Sequence, residues 1–97
     1  MDFSKISKMV HANAVNHGWW EDKRPVPELL CLIHSEVSEA LEAYRDCNEA
    51  RLAEELADVI IRTMDTAEGL GIDLFAEVIK KHHINVGRSY RHGGKAC

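Results

Sequence analysis

HSEVSEALEAYRDCNEARLAEELAD, residues 34–58, carries two acidic pairs, Glu36/Glu39 and Glu55/Asp58, each spaced i,i+3. On a helix that spacing sets both members of a pair on one side, about one turn apart. A helical wheel places the first pair at the edge of an apolar arc formed by Leu29, Leu30, Ile33, Val37, Ala40, Leu41 and Tyr44. The second pair borders an arc of Leu52, Leu56, Val59, Ile60, Thr63, Ala67 and Leu70 in the same way. Cys47-Asn48 between them marks a short turn, so the two helices are expected to return antiparallel as an αα-hairpin. Four carboxylates would then converge on one place.

Working outward, residues 2–17 read as a first helix with a stripe of Phe3, Ile6, Val10 and Ala14, Met9 beside it and Gly18 as its stop. WWEDKRPVP is a connector, and the second helix begins near Pro27 and runs to about Arg45. The third spans about 49–69, with Gly69 and Gly71 at its end. Asp73 caps a fourth, with Leu74, Phe75, Val78 and Ile79 on its apolar side, running through Lys81 or a little beyond. Residues 91–97 are expected to form a flexible tail. The pattern predicts an all-α fold: one domain over 1–97, a four-helix bundle-like protomer with antiparallel central helices.

Ile61 and Met64 fall outside the main arc of the third helix and are expected at a subunit interface. A chain of 97 residues buries a limited share of its surface, so dimerisation is expected to complete the core.

Composition narrows the function classes. Lys and Arg total 12 against 16 Asp and Glu, giving −4 at neutral pH, which argues against a general binder of nucleic acid polymers. No apolar run reaches membrane-spanning length, and no basic leader precedes an apolar segment, so no membrane partner is expected. Cys31, Cys47 and Cys97 are odd in number and lack CxxC spacing, which suits reduced thiols and a cytoplasmic location.

One ExxE on a helix edge is ordinarily solvated surface. Two acidic pairs in phase with the buried faces crowd like charges at a seam, and divalent cations relieve that repulsion. Oxygen-only ligands favour Mg²⁺, with Mn²⁺ as a substitute, over structural zinc. A di-iron site needs Glu-x-x-His, which neither Glu36 nor Glu55 begins; His34 points elsewhere on its helix. A carboxylate-held magnesium cluster suggests polyphosphate chemistry. Lys80, Lys81, Asn85, Arg88, Arg91 and Lys95 offer polar and positive groups for the phosphates. Trp19 and Trp20 offer a wall for a base, or simply close the core. His11 and His17 are ambiguous, and His82 and His83 diverge as helical neighbours.

With EVSE at 36–39, EELAD at 54–58 and KHHINVGR at 81–88, the chain resembles the MazG-type all-α nucleoside triphosphate pyrophosphohydrolases, especially their compact single-domain members. The resemblance runs from the first helix to about Tyr90. It implies that Glu36, Glu39, Glu55 and Asp58 ligate magnesium and serve catalysis. It also implies that Lys81 and Asn85 reach phosphates or metals, within one chain or across a subunit boundary, with Arg88 and Tyr90 as looser matches. His11 and Trp20 match positions that surround the base in relatives specialised for pyrimidine deoxynucleotides.

The implied reaction splits a (deoxy)nucleoside triphosphate into monophosphate and pyrophosphate, as nucleotide-pool housekeeping with some deoxynucleotide preference. Glu39 or Glu55 is expected to orient the attacking water. The implied assembly is a homodimer, often paired into a homotetramer. A nucleotide-sensing regulator and a non-enzymatic helical interaction module are the competing accounts.

Overall fold

The structure is a computed structural model that describes residues 2–88. Helices α1 (Phe3–Asn16), α2 (Val26–Arg45), α3 (Glu49–Gly69) and α4 (Leu74–Val86) follow one another, and the described residues contain no strand. The all-α four-helix reading holds, and observed limits lie close to those expected. Tyr90 and the tail at 91–97 lie outside the described residues.

Local chemistry sets the helix ends. Asp2, Asn48 and Asp73 each accept the backbone N–H three residues on, at 2.8, 3.0 and 3.1 Å, and so cap α1, α3 and α4. Pro25 precedes α2 and Pro27 lies in its first turn, where the missing N–H costs nothing. Three helices close in the same way, through a left-handed residue after the last turn. After α1 it is Gly18, with Trp19 N–H bonding Ala14 C=O at 3.1 Å; after α3 it is Gly71, with Ile72 N–H bonding Ala67 C=O at 2.8 Å. After α2 the residue is Cys47, φ 55°, and Asn48 N–H bonds Ala43 C=O at 3.0 Å. This single reversal turns α3 back along α2.

Helix α3 is the centre of the protein. It packs against α2 on one side and α1 on another, while α4 meets the rest mainly near the α3–α4 corner. At that corner the Phe3 and Phe75 rings stand 5.6 Å apart. Packing on two sides explains where the wheel reading fails. Met64, expected at a subunit interface, is only 5% exposed and belongs to the protomer's own core, as do its neighbours Asp65, Thr66 and Ala67. Ile61 remains partly exposed beside α1.

The α2–α3 seam is narrower than the expected arcs. Leu29, Ala40 and Ala43 are the buried residues of α2, small side chains letting the helices approach. Leu30, Val37, Leu41 and Tyr44 of α2, Leu56 and Ile60 of α3, and Leu70 just after it are instead exposed. So are Ile6 on α1 and Phe75, Val78 and Ile79 on α4, where no residue is buried. Among the described residues, no helix is long and apolar enough to cross a membrane.

Candidate metal centre and adjoining cavity

Antiparallel pairing of α2 and α3 brings Glu36 opposite Glu55 and Asp58. One carboxylate oxygen from each of these three lies within 4.8 Å of the other two. Three oxygen donors grouped in this way are the kind of set that could hold a hard divalent cation. Glu39, one turn along α2, stands outside the cluster.

Arginines account for this arrangement. Arg51 donates to Glu39 at 3.1 Å and lies 3.7 Å from Glu42, 3.5 Å from Asp46 and 3.7 Å from Glu55. Glu39 is thus paired with Arg51 rather than with the cluster. Arg62, one turn beyond Asp58, donates through Nη2 to Glu36 Oε1 at 3.1 Å, and both side chains are largely shielded from water. Glu55 feels the remaining crowding. Lost solvent contact is the main cause that raises its pKa above the ordinary 4.5, followed by Asp58; Arg51 pulls it down, and Glu39 and Glu36 push it up again.

Beside the cluster lies a cavity of about 550 Å³ between α1 and α3. Helix α1 contributes Ile6, Met9, Val10, Asn13 and Ala14 to its lining; His17 and Trp19 come from the segment after it, Glu36 from α2, and Asp58, Ile61, Arg62 and Asp65 from α3. Apolar wall and acidic floor thus meet in one space. The Trp19 ring has two guanidinium groups near it, that of Arg62 at 4.7 Å and that of Arg24 at 4.9 Å from the centroid. Arg24 is itself held by the Trp19 carbonyl and by Glu28.

Trp20 is placed differently from Trp19. Its Nε1 donates to Asp65 Oδ1 at 2.9 Å, and its ring packs over Gly69. His11 Nδ1 lies 2.7 Å from the same oxygen, and its ring meets Trp20 edge-on at 5.3 Å. An ionised carboxylate only accepts, so a hydrogen sits on His11 Nδ1. Asp65, 7% exposed, therefore ties His11 and Trp20 together behind the cavity wall.

Of the residues expected at the site, Glu36, Glu55 and Asp58 come together, and His11 and Trp20 touch each other next to the cavity. Lys81 and Asn85 lie on α4 and Arg88 just after it, and none of them lines this cavity within the same chain. Tyr90 falls outside the described residues. Arg51, Arg62 and Asp65 were not singled out from the sequence. A signal was there: Arg51, Glu55, Asp58, Arg62 and Asp65 follow alternating steps of four and three, one continuous polar edge of α3.

Compared with protein-family models, curated proteins and solved structures, the chain matches none.

Proposed function

We propose that the protein is a magnesium-dependent nucleoside triphosphate pyrophosphohydrolase, working on nucleotide pools in the cytoplasm. The observation that carries this reading is the convergence of Glu36, Glu55 and Asp58 at one side of a cavity with an aromatic, largely apolar wall. A nucleotide needs both features, a charged end for its phosphates and an apolar space for its base.

Glu36, Glu55 and Asp58 would hold Mg²⁺, or Mn²⁺ in its place, which supplies neutralisation of the phosphate oxygens and polarisation of the reacting phosphorus. The chain's own groups do the rest. Glu55, which gives the cluster one carboxylate oxygen, orients a water and accepts its proton through the other; it is better placed for this task than Glu39, which pairs with Arg51 outside the cluster. Water oxygen bonds to the α-phosphorus, the bond to the β-phosphate oxygen breaks, and pyrophosphate departs. Trp19, with the Arg24 and Arg62 guanidiniums over its ring, forms part of the wall of the base pocket, and Asp65 holds His11 and Trp20 together beside it. Lys81, Asn85 and Arg88 meet the phosphates from a second subunit, in keeping with their distance from the cavity in their own chain.

Assembly into a homodimer, and pairing of dimers into a tetramer, belongs to the same reading. The exposed Leu30, Val37, Leu41, Tyr44, Leu56 and Ile60 support it. So does the radius of gyration of 16.0 Å, against about 13 Å for a compact chain of 100 residues.

Pyrophosphate release from a panel of triphosphates, with and without magnesium, tests the activity. Turnover of dCTP, CTP, dATP and dUTP tests the deoxynucleotide preference, which equal rates for ribo- and deoxynucleotides would remove. One observation favours a different reading, a non-enzymatic helical interaction module: Arg51 and Arg62 already neutralise much of the acidic seam. That account expects no magnesium-dependent nucleotide binding. A nucleotide sensor expects such binding without pyrophosphate.

A further inference from the structure

Arg62 occupies an unusual position between the two halves of the site. It reaches Glu36 at 3.1 Å, lies over the Trp19 ring at 4.7 Å and lines the cavity alongside Asp58. Among the described residues Glu36 is its one ion-pair partner. Arg51 differs: four carboxylates surround it near the α2–α3 turn, and it does not line the cavity. A cation that takes over Glu36 would leave Arg51 well paired and Arg62 without its ion-pair partner. A partly shielded guanidinium deprived of its partner is costly and needs a new anion close by. The Trp19 ring keeps it close by, because a cation within this distance of an aromatic face is attracted to it.

We propose that Arg62 is an exchangeable counter-ion that deepens the pyrophosphohydrolase reading of this site. Before loading, it pairs with Glu36 and competes with the divalent cation. After loading, it stays on Trp19 and binds oxygens of the polyphosphate chain, for which its planar fork is suited. Metal and triphosphate thereby become linked: the first frees the arginine that the second requires. No bond is made or broken in this exchange beyond ion pairs and hydrogen bonds.

The test uses the full chain and calorimetric titration rather than turnover. The probes are Mn²⁺ alone, then an α,β-methylene nucleoside triphosphate and inorganic triphosphate at saturating Mn²⁺. R62Q is expected to bind Mn²⁺ alone more tightly than the unsubstituted chain, and to lose at least about tenfold in affinity for both triphosphates, the scale of one hydrogen bond to a charged group. R62K keeps the charge without the fork. It is expected to hold Mn²⁺ about as well as the unsubstituted chain and to bind both triphosphates more weakly than it does.

If the unsubstituted chain binds all three probes but R62Q shows unchanged or weaker Mn²⁺ affinity, or undiminished triphosphate affinity, the exchange is wrong and the pyrophosphohydrolase reading stands. A loss confined to the nucleotide analogue, sparing inorganic triphosphate, places Arg62 on the base or sugar and likewise overturns it. Should R62Q fail to fold, undiminished triphosphate binding by R62K has the same force. An unsubstituted chain that binds neither Mn²⁺ nor triphosphate removes both the exchange and the reading beneath it.

Discussion

Trp20 occupies the space where a side chain on residue 69 would stand: a Cβ built on Gly69 would overlap the Trp20 ring. The indole is pinned at its other end by Asp65. It cannot retreat without giving up a hydrogen bond to a buried carboxylate. G69A should therefore destabilise the protein by about 1–3 kcal/mol, the usual range for overpacking against a side chain that cannot move aside. In a W20F background the same substitution should cost less, because the smaller ring leaves room. Thermal melts of the two single variants and the double variant measure the coupling.

The three-carboxylate cluster makes a graded prediction about the acids. E36Q, E55Q and D58N should each lower kcat/KM for pyrophosphate release by roughly a hundredfold or more, the loss seen when a preorganised charge-stabilising group is removed. E39Q removes an exposed partner of Arg51, and exposed pairs contribute at most about 1 kcal/mol, so its effect should stay below about tenfold. A dead E39Q with a normal melting temperature would show that Glu39 joins the site during turnover.

Acid should favour the metal-free fold at Glu55. Its folded pKa is raised, so the native chain binds more protons than the unfolded one between 4.5 and that higher value. Stability from this group is lost as pH rises through the folded pKa and recovered as pH falls. E55Q, which carries no charge, should melt above the unsubstituted metal-free protein at neutral pH, and the gap should close toward pH 4.5. A gap that widens in acid would reverse the sign and refute the assignment.

Cys47 makes the left-handed closure that glycine makes after α1 and α3. A side chain in that conformation costs about 1–2 kcal/mol, and glycine's greater freedom when unfolded returns part of it. C47G should stabilise the protein by roughly 0.5–1 kcal/mol. Chemical denaturation at constant m-value checks this.

The exposed rows on α2 and α3 carry a prediction about assembly. V37E and L41E should shift the protein toward monomer in sedimentation and lower activity as they do so. Monomer throughout, in the unsubstituted protein, would remove the proposed two-chain site.

Helix existence and limits were legible because punctuation and period agree: Asp2, Asn48 and Asp73 start helices, and Gly18, Cys47 and Gly71 stop them. The αα-hairpin and the meeting of Glu36 with Glu55 and Asp58 followed from the same pattern. Which apolar residues are buried did not. A wheel assigns each helix one inner face, whereas α3 is packed on two sides, so Met64 goes inside and Leu56 and Ile60 stay out. Nor could spacing foresee that Arg51 would pair with Glu39 outside the cluster, since that depends on which residues face each other across the turn. The roles of Trp19 and Trp20 were equally hidden. Adjacent tryptophans look alike in sequence, and only Gly69 and Asp65, 45 or more residues downstream, tell them apart.

The two arginines along α3 have a consequence for the metal-free chain. Arg51 and Arg62 offset part of the acidic seam from within, so on the proposed reading a chelator would remove activity while the four helices stay folded.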